Sequence, residues 1–399
     1  MDLIETFGAK IGALSEEKPQ RARQLLTAGF RANGVKNKLA SKRSSKSDRM
    51  LFQLVNRAMV TCLAKPQSNV MVSLFTPCEM LHLQGLHPYS CEGFSSYLSG
   101  AMAEQPFLHQ AEDTGIPNSL CSYHKVFIGA AQMGLMPKPR FILSTSLACD
   151  ANTLTFRHLA QFYDVPHFNV DIPFESSPQA VDYVAGQLRQ MGEFLTQQTG
   201  LPLDDGQLAR TVARSQRTMA LYHRGLRLRA GRQVLSDLTS ELLRTAAFHF
   251  LLGTPETEAY ARQLLREITT APPAQGKQLL WIHTTPYWVA PLRHLFAQST
   301  RVQVAACDMS YEGIVEADPT KPYEAMARRL VYSPFNGPAQ RRIDRALEMA
   351  KTVGADGAVW FCHWGCKHTL GGARLGKKAL EEAGLSPLLS AVLAARGVT

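Results

Sequence analysis

Val359–Trp360–Phe361–Cys362–His363–Trp364–Gly365–Cys366–Lys367–His368 reads as a buried β-strand that runs into a loop carrying two thiols, two imidazoles and an indole. The Gly371–Gly372 pair is then expected to lead into an amphipathic helix. A strand that delivers a cysteine to a loop is how an α/β fold presents a soft ligand, so the fold turns on whether other segments repeat the pattern. Several do. Val70–Met71–Val72–Ser73–Leu74–Phe75 is a short apolar run stopped by Thr76–Pro77, and Phe141–Ile142–Leu143–Ser144–Thr145–Ser146 leads straight to Cys149–Asp150. Pro166–Ile172, Leu279–His283 and Val302–Ala306 complete the set. Apolar runs this short, bounded by turn residues, suit strands buried on both faces.

Between these runs lie helical patterns: Cys78 to His87, Phe94 to Ala103, Val126 to Met133, Thr153 to Tyr163, and a helix opened by Gly337–Pro338 with Ile343, Leu347 and Ala350 on one face. Strands alternating with helices imply parallel sheets with right-handed crossovers, in which ligands collect at the carboxyl ends of the strands. The expected class is α/β, with two parallel-sheet lobes, an N-terminal helical extension and a helical insert. The boundaries read are 1–64 for the extension, 65–175 for the first lobe, 176–275 for the helical segment and 276–399 for the second lobe. In the helical segment Pro178 suits a helix start, Val181, Val184, Leu188, Met191 and Leu195 recur at three and four, and Gly200 suits the stop. Leu51, Leu54, Val55 and Met59 show the same spacing in the extension.

The 399 residues are 45% hydrophobic and 19% charged, close to the globular norm, and no apolar run is long enough to span a bilayer. The start, Met1–Asp2–Leu3–Ile4–Glu5, lacks the pattern of a secretory signal, so the expected compartment is the cytoplasm. Of the net +10 charge most lies at one end, with twelve Lys and Arg against five Asp and Glu over residues 1–57, around Lys36, Lys38, Lys42, Arg43, Lys46 and Arg49. That stretch reads as a solvated face. No aromatic residues interleave with it and no nucleic-acid motif accompanies it, so no nucleic-acid partner is expected.

Eight cysteines at 62, 78, 91, 121, 149, 307, 362 and 366 make neither CxxC knuckles nor a zinc-finger pattern, and thiols in the cytoplasm stay reduced. Cys62, Cys78, Cys91 and Cys307 lie in or beside apolar segments, where a thiol behaves as a small hydrophobe. Cys121, Cys149 and Cys366 lie in loops among small or polar neighbours. If these three hold a metal, thiolates without a nearby carboxylate favour an iron–sulfur cluster over magnesium or calcium. Cys362 is the rival for the third position, but it sits inside the apolar run, while Gly365 lets the backbone at Cys366 approach closely.

Phe75–Thr76–Pro77–Cys78–Glu79, Gly85–Leu86–His87–Pro88, Cys121–Ser122–Tyr123–His124–Lys125, Ser146–Leu147–Ala148–Cys149–Asp150, Asn336–Gly337 and His363–Trp364–Gly365–Cys366–Lys367 together resemble the 2-hydroxyacyl-CoA dehydratase D-component family, which includes benzoyl-CoA reductase subunits and double-cubane cluster proteins. The resemblance covers roughly residues 65–390. It implies two Rossmann- or flavodoxin-like lobes, and a [4Fe-4S] cluster on Cys121, Cys149 and Cys366. It also implies an ATP-dependent iron–sulfur activator protein as electron donor. The implied reaction is a lyase step: one low-potential electron makes a ketyl radical of an acyl-CoA thioester, the hydroxyl leaves, and the electron is recovered. A homologous subunit or a homodimer is the expected assembly.

Glu79, Glu92, His124 and His363 stand beside the family motifs and are the nominees for acid–base work, while Lys125 and Lys367 are placed to offset cluster charge. Two alternatives accompany this reading. One is a double-cubane [8Fe-9S] reductase of small molecules, which needs extra thiols such as Cys78, Cys91 and Cys362 near the first three. The other is a non-catalytic electron-transfer subunit. No GxGxxG fingerprint occurs. The tail from Ser390 to Gly397 departs from the family pattern, which normally continues through a Gly-Asp-Gly type loop, and so the second lobe is expected to be shortened.

Overall fold

The structure, a computed structural model, describes residues 3–39, 45–234, 236–297, 299–311 and 316–390. Lys42, Arg43 and the divergent tail beyond Ser390 lie outside the described residues. Three helices come first, α1 (Leu3–Glu17), α2 (Pro19–Leu39) and α3 (Lys46–Ala64), as the apolar spacing predicts. Ser45 caps α3 by accepting from the Asp48 amide. The helices form a layer over the first lobe, and α3 also packs against the helices that follow that lobe.

The first lobe comprises β1 (Asn69–Val72), α4 (Glu79–Leu83), β2 (His87–Ser90), α5 (Cys91–Gly100), α6 (Gln105–Asp113), α7 (Ser122–Gln132), β3 (Phe141–Thr145), α8 (Asp150–Tyr163) and β4 (His167–Val170). Then come α9 (Pro178–Thr199), α10 (Asp205–Leu228), α11 (Leu238–Phe250) and α12 (Pro255–Thr270). The second lobe comprises β5 (Lys277–Ile282), α13 (Ala290–Phe296), β6 (Val302–Cys307), α14 (Pro322–Val331), α15 (Ala339–Val353), β7 (Gly357–Phe361), α16 (Lys367–Glu382) and β8 (Ser386–Ser390).

The two sheets have the same construction. Strand order is β2-β1-β3-β4 in one and β6-β5-β7-β8 in the other, and every pairing is parallel. In sheet one Val70 and Val72 face one apolar cluster together with Phe141 and Leu143, while Met71 and Ile142 face a second. Both faces are thus covered, which is why these strands read as unbroken apolar runs. Each large aliphatic or aromatic side chain so buried contributes about 1.5–3 kcal/mol. The first cluster continues through Trp281, Ile282 and Phe361 of the second lobe, so the lobes share a core. The helical segment does not stand apart either: α9 packs on α14, and α11 and α12 pack on α3.

Three expectations change. The stretch Cys78 to His87 is not one helix, because α4 ends at Leu83 and His87–Ser90 is a parallel edge strand. Pro88 lacks an N–H to donate, which an edge strand tolerates, and so it does not end the element as a helix-breaker would. Gly371 and Gly372 do not precede the last helix but lie inside it, where α16 crosses the Trp360 ring. Finally, the helical patterns expected from the sequence omit α6, α13 and α14. Among the described residues no helix is long and apolar enough to cross a membrane.

Candidate active site

The strand β3 ends at Thr145, the chain turns through Ala148 in a left-handed conformation (φ +69°), and Cys149 is the N-cap of α8. In the second lobe β7 ends at Phe361, Gly365 is left-handed (φ +72°), and Cys366 is the N-cap of α16. The two lobes present a thiol by the same local path, from the third strand of each. Cys121 is the N-cap of α7. The sequence reading put all three in loops, and the structure refines this: each stands at a helix N-terminus, where none of the three helices has a side-chain cap. Such N-termini carry unsatisfied amides and a partial positive charge that favour thiolate.

Backbone contact joins the two lobes here. A Cβ on Gly365 would fall 2.6 Å from the Cys121 amide nitrogen and from the Leu120 carbonyl. The Ser122 amide donates to the Trp364 carbonyl at 3.4 Å, and Trp364 Nε1 donates to the Asn118 carbonyl at 3.1 Å. Cys121 and Cys366 are thereby held side by side. Burial first, then the nearby Cys366 and Cys149 thiols, push the Cys121 pKa well up, against the Tyr123 and His124 amides of its own helix. Burial likewise pushes Cys149 up to about 12, opposed by the Asn152 and Ala151 amides. Cys121 therefore feels both other thiols and Cys149 feels Cys366, and first-turn amides stand ready to stabilise the thiolates of Cys121 and Cys149.

The thiols line one cavity of about 540 Å³. Its walls include Leu74 and Phe75 beyond β1, Ala148 and Cys149 beyond β3, His283 and Thr284 beyond β5, and His363, Gly365 and Cys366 beyond β7. In a 2-1-3-4 sheet the order in which strands are added reverses between the first and third strands, and ligands gather at that point. Both such points open into this single cavity. Leu242, Leu243, Thr245, Ala246 and Phe250 of α11 form a further wall.

Of the four acid–base nominees, three line the cavity. Glu92 lies in the first turn of α5, accepting from the Leu74 amide at 3.2 Å and from Ser90 Oγ at 3.4 Å. Burial raises its pKa to about 7 despite these hydrogen bonds. His124 is buried, with Nδ1 2.9 Å from Thr155 Oγ1 and Nε2 3.9 Å from Cys149 Sγ, and burial lowers its pKa to about 4. His363 is 1% exposed and stacks on Tyr123 with ring centroids 4.5 Å apart. Neither of its ring nitrogens has a hydrogen-bond partner among the described residues, and burial lowers its pKa to about 3.

Glu79 stands elsewhere. Its buried carboxylate takes two hydrogen bonds from Arg329, at 2.6 and 3.0 Å, and one from Ser215 at 3.0 Å. Burial works to raise its pKa, but the Arg329 guanidinium holds it below the usual carboxylate value. This is an ion pair between α4 and α14 rather than a cavity group. Lys125 also turns away, binding Glu112 at 2.5 Å and the Asn118 carbonyl at 2.9 Å, while Lys367 lines the cavity and is exposed.

Two further cavity histidines are not among the acid–base nominees. His283 follows β5 in a left-handed conformation (φ +84°), its amide donating to Asp308 Oδ1 at 2.7 Å. Strain of this kind in a non-glycine residue clusters at functional sites. His368 accepts from Arg342 Nη1 at 3.0 Å and stacks on Phe335. A rule that takes the first residue past each buried strand would have found His283. Cys78, Cys91 and Cys362, the thiols a larger cluster would recruit, are buried and do not line the cavity. Among the described residues no three His, Cys, Asp or Glu side chains converge tightly enough to hold a single metal ion.

The fold and the site define a two-lobed, doubly wound α/β protein with a thiol-lined cleft between the lobes. Residues 73–391 match the family of the 2-hydroxyglutaryl-CoA dehydratase D-component, and the chain belongs to that family. The resemblance read from the motifs is thereby borne out. The chain is also similar to the (R)-phenyllactyl-CoA dehydratase alpha subunit of Clostridium sporogenes, with 25% identity over 121 residues, 28% of this chain and 30% of that one. The match spans less than a third of that relative's length.

Proposed function

We propose that this chain is the iron–sulfur subunit of a 2-hydroxyacyl-CoA dehydratase, with a [4Fe-4S] cluster held by Cys121, Cys149 and Cys366. The observation that carries the reading is the arrival of three thiols, from both lobes and each at a helix N-terminus, on one cavity. The donor set fits: thiolates select iron–sulfur clusters, and the first-turn amides offset their charge. When bound, such a cluster supplies one low-potential electron to a thioester carbonyl, the electron that elimination of water through a ketyl radical requires.

The chain's own residues would prepare the site for that chemistry. Glu92, with a pKa near 7, exchanges a proton close to neutrality, which suits a group that must take a proton from the substrate or hand one to the departing hydroxyl. His124, neutral and oriented by Thr155, directs Nε2 at Cys149 Sγ. His363 offers an unengaged N–H to an acceptor in the cavity. The apolar α11 wall excludes water that would quench a radical. An ATP-dependent iron–sulfur activator protein is the proposed electron donor, and the alpha-subunit name of the relative supports assembly with a second, homologous subunit.

The test is iron and acid-labile sulfide in protein purified without oxygen, with the Cys366→Ser variant alongside. About four irons per chain, lost in the variant, is the expected result. A folded protein without iron overturns the proposal.

A further inference from the structure

Among the described residues four that are not glycine have a left-handed φ, and two of them, Ala148 and His283, line the cavity. His283 has the largest value of the four, φ +84°, in a region where an L side chain is strained and glycine is not. The surrounding contacts hold its backbone there. Its amide donates to Asp308 Oδ1 at 2.7 Å, and Asp308 is fixed in turn by Arg342 Nη2 at 2.7 Å and Nε at 2.8 Å. The buried Cys307 thiol donates to the His283 carbonyl at 3.2 Å. Further along, Trp281 Nε1 donates to the Thr284 carbonyl at 2.9 Å, and Thr285 Oγ1 to the Leu238 carbonyl at 2.8 Å. If only the path of the chain mattered, glycine would meet this turn without strain. The histidine instead keeps an imidazole at the cavity wall.

That ring is poorly served by the fold. Its Nδ1 is buried without a hydrogen-bond partner among the described residues, and it faces the ring of His363, equally unpartnered, with centroids 6.4 Å apart. An unpaired buried polar atom is costly unless a ligand meets it. Burial first, then Arg342, His363 and His368, hold the His283 pKa well below its usual value, so the ring is neutral and has one N–H and one bare nitrogen. Such a ring is suited to a group that both gives and takes a hydrogen bond. On the acyl part of a 2-hydroxyacyl thioester the carbonyl oxygen only accepts, whereas the hydroxyl does both. We propose that His283 binds the 2-hydroxyl group of the substrate and is the residue by which the site tells a 2-hydroxyacyl thioester from the unhydroxylated one. This rests on the dehydratase reading and deepens it.

The test is isothermal titration of the anaerobically purified protein, with no electron donor so that nothing turns over. The ligands are 2-hydroxyglutaryl-CoA and phenyllactyl-CoA, their counterparts without the hydroxyl, glutaryl-CoA and 3-phenylpropanoyl-CoA, and free CoA. In the wild type the hydroxylated thioester of at least one pair binds about tenfold more tightly than its counterpart, the effect of one hydrogen bond to a buried partner. In His283→Gly that preference disappears while the counterpart binds as before, and the urea midpoint holds because relief of the left-handed strain offsets the lost ring contacts. His283→Asn, with a shorter side chain that tolerates the same backbone, shows the same loss if the glycine variant does not fold. A preference absent from the wild type, or kept in the variants, overturns the inference and leaves the dehydratase reading standing. Both thioesters weakening together as the midpoint falls marks the ring as structural and overturns it likewise. Thioesters that bind no better than free CoA overturn both.

Discussion

Replacing Gly365 by alanine tests the contact that holds two of the three thiols together. The residue is left-handed at φ +72°, a conformation that costs an alanine roughly 1–2 kcal/mol. The new Cβ would lie 2.6 Å from the Cys121 amide nitrogen and the Leu120 carbonyl, where ordinary contact begins at 3.4 Å. Both obstacles are backbone, so the loops must part by most of an ångström. The Ser122–Trp364 hydrogen bond, already 3.4 Å, and the Trp364–Asn118 bond at 3.1 Å are the first to go. Two such bonds are worth about 1–3 kcal/mol together, bringing the total to about 3 kcal/mol. Gly354→Ala is the control: φ is +63° and, among the described residues beyond its chain neighbours, no atom lies within 4 Å, so it carries the same backbone cost alone, roughly 1–2 kcal/mol. Urea unfolding of both variants measures the difference, and iron content reports whether Cys366 still meets its partners. If Gly365→Ala is no less stable than Gly354→Ala and keeps its iron, the close approach is not what brings Cys366 to Cys121.

Glu92→Gln is expected to change the pH dependence of stability. Because the native pKa of Glu92, about 7, lies above its unfolded value near 4.5, the native state holds an extra proton between those limits. The wild-type protein therefore loses stability as pH rises from about 4.5 to 7, the Gln variant lacks this loss, and urea midpoints at pH 5 and pH 8 show the variant gaining on the wild type at the higher pH. Glu79→Gln is expected to cost about 3–5 kcal/mol, since it removes the carboxylate from a buried pair, without lowering iron content. A normal stability with lost turnover would instead place Glu79 in the chemistry. Cys362→Ser is expected to keep the iron that Cys366→Ser loses, because Cys362 is buried behind the cavity wall, and equal loss in both would reopen the choice of the third ligand.

How much of this was legible before the structure follows from what each segment touches. The strands β1, β3, β5 and β7 are central in their sheets and covered on both faces, so burial alone writes them as apolar runs. At the sheet edge β2 reads His87–Pro88–Tyr89–Ser90 and carries no such run, so its sequence looks like the end of a helix. The thiols at 121, 149 and 366 stood out because small and polar neighbours surround them after a strand or a break.

The sequence by itself determined the α/β class, the helical extension, the strands buried at the centre of each sheet and the three candidate thiols, since each is a property of a dozen neighbouring residues. Only the tertiary structure decided the rest. It made each of the three cysteines a helix N-cap, turned both sheet reversals into one cavity, brought in His283, and took Glu79 out of the site by pairing it with Arg329, 250 residues further along the chain. Periodicity and turn chemistry act within a few residues. The partner of a buried charge and the lining of a cleft are set by how two lobes dock, and no local pattern carries that information.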